Sequence, residues 1–302
     1  MTRRGVVDLE SYRLAQYAVQ VPCYVCSGGN TFDAEVCRHC FAPMALAHQS
    51  KTQNVRPLMV ATLGSAGAGK TVFLGMLMDM LSRQPEQVQL LARGAFSVTL
   101  QQMTVAALAR CEFPAKTPSE PDRWNWVHCQ VKSQYQRRAV ELIMPDMAGE
   151  ALLEELDHPH TYPVIRSFLS KCSGVMVLID GYQLQAGNRD QDYFVMKLLS
   201  YLGELDDESK RGWKGKPVAL ILSKADQCEE CFEDSAAYAH KHASGLWQHC
   251  RERFAQHKFF ASGVAGACAY RNTFEGKLRV PLRVEPRGII EPFEWLVSRL
   301  KM

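Results

Sequence analysis

The 302-residue chain is 47% apolar and 22% charged, a composition that excludes a largely disordered protein. Its length suits about two domains, or one enlarged α/β domain that takes most of the chain. With 35 basic and 32 acidic residues the net charge is only +3, which excludes recognition of nucleic acid or membrane by field alone.

Met1–Val7 leads into a polar segment where an export signal would need an apolar core, so a cytoplasmic location is expected. Residues 1–20 carry one amphipathic helix around Asp8–Val19, with Leu9, Tyr12, Leu14, Tyr17 and Ala18 as its apolar positions. Residues 21–47 hold two CxxC pairs, Cys23/Cys26 and Cys37/Cys40, ten residues apart. Eleven cysteines without an export signal read as metal chemistry in a reducing compartment and not as a disulfide framework. Each pair offers two thiolates to one ion, and tetrahedral Zn²⁺ is the natural occupant, with the ten-residue excursion folding back as a hairpin. Such a small segment buries no core of its own, so the metal would supply its folding energy. Residues 1–56 carry six Lys and Arg against four Asp and Glu, a footprint that argues for a protein-docking or structural ribbon and against nucleic acid.

The polar stretch His48–Pro57 reads as a linker. Residues 58–302 then alternate short apolar runs with helical stretches, the habit of a mostly parallel α/β sheet with helices on both faces. Leu58–Gly64 is a buried strand and Lys70–Arg83 the helix after it. An insertion over about residues 84–123 holds a short strand, a helix at Val98–Arg110 and the loop Pro114–Arg123. Trp124–Val131 is a strand at or near an edge, with Trp124 and Trp126 on one face and packed under the insertion; Ala139–Met144 is its neighbour. Gly174–Asp180 and Pro217–Ser223 are continuous Val/Ile/Leu runs, as strands covered on both faces require. Lys258–Val264 is the final short strand and Ile289–Leu300 the closing helix, and no run is long enough to span a membrane.

The segment Gly64–Thr71, GSAGAGKT, matches G-x-x-x-x-G-K-[ST] in full, between strand and helix. Gly64, Ala66, Gly67, Ala68, Gly69 and Val72 shape a backbone nest for phosphates at a helix N-terminus. Lys70 reaches the β- and γ-phosphates, and the Thr71 hydroxyl is placed for Mg²⁺. Three later segments stand in order behind it: Asp146–Gly149 as DxxG, Ser223–Asp226 as SKAD, and Phe259–Val264 with Ser262. A carboxylate at Asp226 accepts from guanine N1–H and the 2-amino group, which adenine cannot offer.

Together these motifs resemble the Ras-like (TRAFAC-class) P-loop GTPases across Leu58–Leu300. The resemblance implies GTP and GDP as ligands, Asp146 holding Mg²⁺ through water, and the Gly149 N–H sensing the γ-phosphate. It also implies base recognition by Lys224 and Asp226 backed by Ser262. PLMVATLGSAGAGKTVFLGML and RGIIEPFEWLV further resemble the GTPases of bacterial double-GTPase conflict systems, which implies a signalling or defence role with a second GTPase as partner.

Two departures bear on catalysis and affinity. Glu150 stands where Ras-like enzymes place a water-positioning glutamine, and Ser223 replaces the commoner asparagine that ties the base loop to the P-loop. Thr117 is the expected Mg²⁺-sensing residue of the insertion, with Thr104 and Ser119 as competitors. Lys70, Glu150 and Thr117 are therefore the candidate catalytic set, and hydrolysis is expected to be slow or partner-dependent. The other reading is a non-hydrolysing scaffold whose ribbon docks a protein. Cys228 and Cys231, with His240, His242 and His249 downstream, are read as ordinary residues on an acidic loop. Oligomeric state stays open.

Overall fold

The computed structural model describes residues 19–83, 88–134, 139–205, 212–273 and 276–300. The helix expected around Asp8–Val19 lies, except for Val19, outside the described residues.

The central sheet is built from β3 (Leu58–Leu63), β4 (Val88–Ala92), β5 (Trp126–Ser133), β6 (Val140–Pro145), β7 (Cys172–Asp180), β8 (Val218–Ser223) and β9 (His257–Ala261). Its spatial order is β4-β5-β6-β3-β7-β8-β9. β3, β6, β7, β8 and β9 run parallel, and β5 alone opposes its neighbours, pairing antiparallel with β4 and β6. Every residue of β8 is buried, which is why its run of apolar side chains is unbroken.

Alternation inside those runs divides the core between two faces. Ala61, Leu63, Val175, Val177, Leu220 and Leu222 face one layer, with helices Gly149–Asp157, Pro163–Lys171 and Arg189–Glu204 supplying Leu152, Phe168 and Leu198. Val60, Leu142, Met176, Leu178 and Ile221 face the other, against Phe73 and Leu77 of helix Lys70–Arg83, Leu100 of helix Phe96–Ala109, and Phe293 of helix Ile290–Val297. The buried Trp126 stands edge-on to Phe168, ring centroids 5.7 Å apart.

The N-terminal segment corrects two expectations. The antiparallel pair β1 (Gln20–Pro22) with β2 (Gly29–Thr31) encloses the first CxxC, and a Val36–Pro43 bridge encloses the second, so each knuckle has its own turn and the excursion between them is no hairpin. Residues 48–53 are not a linker but the body of a helix, Ala45–Gln53, which buries Leu46, Ala47 and Ser50. Val21, Val25, Met44 and Leu46 share one apolar cluster with Met59, Ile143 and Val175. The ribbon is therefore packed onto the sheet, and its small size is offset by a core it borrows.

A third difference lies after β9. Strands β10 (Gly263–Thr273) and β11 (Gly276–Arg287) form a long antiparallel arm, with Thr273 opposite Gly276 and Cys268 opposite Pro281. The alternation of Leu278, Val280, Leu282 and Val284 is its sequence signal; the small residues of β10 give none. Among the described residues no helix is long and apolar enough to cross a membrane.

Candidate nucleotide site

The end of β3 turns into the loop Gly64–Gly69 and helix Lys70–Arg83 begins. Gly67 and Gly69 hold φ of +75° and +89°, a conformation that costs other residues free energy and that curls the backbone inward here. Lys70 is buried, its Nζ donating at 2.9 Å to the carbonyls of both Gly64 and Ser65. Burial lowers its ammonium to about 8, against the pull of Asp146 in the other direction. A Cβ at Gly149 would stand 2.3 Å from the Ala66 N, so the DxxG glycine is pressed onto the phosphate loop where no side chain fits.

Three oxygen-bearing side chains converge below that loop. Thr71 Oγ1 lies 3.0 Å from Thr117 Oγ1 and donates at 3.2 Å to Asp146 Oδ1, while Thr117 Oγ1 donates at 3.0 Å to Asp146 Oδ2. Asp146 is fully buried; burial pushes its carboxyl up, opposed by Lys70 and the two threonines. Hard oxygen donors around a buried carboxylate match the preference of Mg²⁺, so Thr71, Thr117 and Asp146 fit that ion. Thr117 is brought in by its loop, which Trp124 Nε1 fastens through a 2.9 Å bond to the Pro118 carbonyl. Thr104 goes elsewhere: its Oγ1 sits where a Gly75 Cβ would be, 2.2 Å from it, as a contact between helices. Glu150 opens helix Gly149–Asp157 with its exposed side chain ion-paired to Lys116.

From this phosphate end a cavity of about 620 Å³ runs to a second cluster. Ala66, Gly67, Ala68, Gly69, Lys70, Thr71 and Val72, with Thr117 and Gly149, line one part and Lys224, Asp226 and Ser262 another, while Gly64 and Asp146 are not part of the lining. Lys224 takes a left-handed φ of +57° and reaches Asp180 Oδ2 at 2.5 Å. The Ser223 hydroxyl donates at 3.2 Å to the Ile179 carbonyl, so it ties the base loop to β7 and not to the P-loop. Backbone bonds from Ser262 N to Leu222 O (2.8 Å) and from Ala225 N to Ser262 O (3.0 Å) hold the Ser262 loop against the Asp226 loop. Sequence reasoning missed Phe113, Lys116 and Arg279, which also line the cavity; the first two belong to the long insertion and the third to the unforeseen arm.

The ribbon brings Cys23, Cys26, Cys37 and Cys40 together, with all four Sγ atoms within 4.8 Å of one another. Cys23 to Cys40 is 3.7 Å and Cys26 to Cys37 is 3.5 Å. Four Zn–S bonds of about 2.3 Å put tetrahedral sulfurs about 3.8 Å apart, so the cluster fits a zinc ribbon. The contact between Cys23 and Cys40 lowers the Cys23 thiol and raises that of Cys40, so the pair readily gives up a first proton and holds the second without a metal. Among the described residues no other group of three or more His, Cys, Asp or Glu side chains converges. Cys228 and Cys231 lie 3.1 Å apart with no third His, Cys, Asp or Glu grouped with them among the described residues; His240 stands edge-on to Trp247 and His242 is tilted against Tyr238.

A family model described as Double-GTPase 2 matches residues 58–266. Solved structures similar to the chain include Methanosarcina barkeri Roco2 RocCORdC bound to GDP, at 13% identity over 68% of this chain and 43% of that one, with a TM-score of 0.32. A bacterial selenocysteine-specific elongation factor, EF-Sec, is 13% identical over 68% of this chain and 25% of its own, at 0.34. A protein described as nucleolar GTP-binding protein 1, from Plasmodium falciparum, is 14% identical over 81% of this chain and 86% of its own, at 0.41. The chain spans less than half the length of the first two. No curated protein matches it.

Proposed function

The chain belongs to the double-GTPase 2 family and is a GTP-binding protein, and from that premise we propose that it is a Mg²⁺-dependent switch that hydrolyses GTP slowly until a protein partner engages it. The observation that carries the proposal is the meeting of Thr71, Thr117 and Asp146 oxygens, because Thr117 comes from a loop that need not otherwise be there. Mg²⁺ held by these residues would neutralise charge on the β- and γ-phosphates. Lys70 supplies a cation to the same oxygens, and Gly149 places a backbone N–H against the phosphate loop. Loss of the γ-phosphate would release the Thr117 and Gly149 segments together, an order-to-disorder change that a partner can read.

Slow turnover follows from Glu150. Its carboxylate is engaged by Lys116, and a carboxylate cannot donate to the transferring phosphoryl as an amide can. That engagement also favours the second reading, a non-hydrolysing scaffold in which GTP stabilises the fold and the ribbon docks a protein. A second GTPase as partner, in bacterial signalling or defence, belongs to the same proposal and is supported by the family. A nucleotide panel by thermal shift, with and without Mg²⁺ and with released phosphate measured in the same samples, tests it. Stabilisation by GTP and GDP over ATP, with slow phosphate release, is expected; stabilisation without release in any condition selects the scaffold.

A further inference from the structure

The arm β10–β11 is fastened at three places around the nucleotide cavity, one of them at the cavity residue Asp226. Arg271 donates to Glu112 at 3.3 Å, just before the loop that carries Thr117. Arg287 holds Glu229 at 2.9 and 3.0 Å and lies 4.0 Å over the Phe232 ring, just after the base loop. A Cβ at Gly263, the root of the arm, would stand only 2.8 Å from Asp226 Oδ1, so the first arm residue abuts the carboxylate that reads the base. Between these fastenings the arm carries Arg279 into the cavity lining, opposite Tyr270 on the paired strand.

Arg279 is well supplied with donors. Among the described residues its one hydrogen bond runs from Nη2 to Cys268 Sγ at 3.2 Å, out of five N–H donors on a guanidinium. The other cation at this end, Lys224, is committed to Asp180. Burial raises the Asp226 carboxyl, and Arg279, ahead of Lys224, is the cation that opposes this. A guanine seated with N1–H and the 2-amino group on Asp226 leaves two acceptors, O6 and N7, on the adjoining edge. An arginine fork matches that pair bidentately, whereas adenine presents one acceptor and one donor there.

We propose that Arg279 is a base-specificity residue that donates to O6 and N7 of guanine while Asp226 accepts from the opposite side of the Watson–Crick edge. The assignment rests on the reading of this cavity as a GTP site. Arg279 lies outside the residues that the family model matches, 58–266.

The probe is 7-deazaguanosine triphosphate, in which N7 is replaced by C–H, compared with GTP and ATP by titration calorimetry on the full chain. The parent should bind the deaza analogue about fivefold to tenfold more weakly than GTP, the net worth of about one hydrogen bond. Arg279→Ala should lose about tenfold in GTP affinity and bind GTP and the analogue equally. Arg279→Lys should recover part of the GTP affinity without the preference for N7, since a point charge replaces a fork. Equal losses for GTP and the analogue in Arg279→Ala, or no loss for either, overturn the assignment while leaving the guanine reading intact. A parent that does not prefer GTP to ATP overturns the guanine reading and the Arg279 contact with it.

Discussion

Two clusters in this molecule fit metal ions, and they are built in opposite ways. The thiol cluster comes from one short segment, Cys23–Cys40, and its ligands lie inside the apolar layer that also contains Met59 and Val175. The oxygen cluster draws Thr71, Thr117 and Asp146 from three distant segments, and Thr71 and Thr117 line an open cavity. Four soft thiolates complete a closed coordination sphere; three oxygens leave positions for phosphate and water. A metal at the first site would contribute to the fold and remain. At the second it would contribute only while Thr117 is in place, which is the property that the proposed switch requires.

The largest expected effect breaks the first cluster. Cys37→Ser, or chelation of zinc, should lower the melting temperature of the nucleotide domain itself, because the ribbon and β3 share one core. A chain of this size shifts by roughly 2–4 °C per kcal/mol, so a loss of several kcal/mol is a shift of about 10 °C or more. A melt with GTP bound checks this, and an unchanged nucleotide-domain transition would return the ribbon to an independent unit.

Next in size is Lys70. Lys70→Ala should weaken GTP binding by at least about a hundredfold, the loss of a buried charge-assisted contact. In the parent, the Lys70 ammonium held down to about 8 makes binding pH-dependent. Below pH 8 the free protein already carries the charge that the triphosphate needs, so affinity should be flat. Above it the proton must be taken up on binding, and affinity should fall by up to about tenfold per pH unit. The free protein's stability moves the other way, rising from about pH 8 toward 10.5, because there the unfolded chain binds the extra proton. Calorimetry in buffers of differing ionisation enthalpy reads that proton directly.

How much of this contrast was visible in the sequence follows from the same difference in construction. The four cysteines, the P-loop and the DxxG are local patterns, and the buried strands declared themselves as unbroken apolar runs. Thr117 could not be told from Thr104 or Ser119, because its role depends on a loop folding back onto Thr71 and Asp146. Residues 48–53 passed for a linker since only Ser50 among them is buried, while the helix's apolar anchors Leu46 and Ala47 come before them. The arm was missed because Gly263, Ala265, Gly266 and Ala267 weaken any strand signal, although Leu278–Val284 alternate. Arg279 was therefore invisible as a cavity residue. What tertiary packing alone decides, no local pattern announces.

Thr117→Ala sharpens the comparison at smaller scale. With Mg²⁺ present it should cost GTP about tenfold, near 1.4 kcal/mol, and leave GDP nearly unchanged, while Thr117→Ser restores the parent. Thr104→Ala should leave the Mg²⁺ dependence alone, since that hydroxyl lies between helices. Stopped-flow release of a fluorescent nucleotide distinguishes them; equal effects from both threonines would take Thr117 out of the cluster.

The smallest effect, and the one that decides how the second cluster is closed, belongs to the Lys116–Glu150 pair. Both side chains are largely exposed, at 64% and 52%, so the pair adds at most about 1 kcal/mol and is screened by salt. Its position still matters, because Lys116 precedes Thr117 and Glu150 follows Gly149, so the pair joins the two segments that the proposed switch would close over a γ-phosphate. If Glu150 itself orients water, Glu150→Gln should change single-turnover phosphate release while Lys116→Met does not. If it acts through the pair, the two variants should change release by the same factor, about twofold to fivefold, and the double variant should be no worse than either. Parent turnover should in both cases stay well below the roughly 1–100 s⁻¹ of kinases. The geometry favours the second pattern, since the Glu150 carboxylate is turned to Lys116 and not held against the phosphate loop. Raising the salt concentration should then erase the difference between parent and variants, and a difference that survives high salt would return Glu150 to the water.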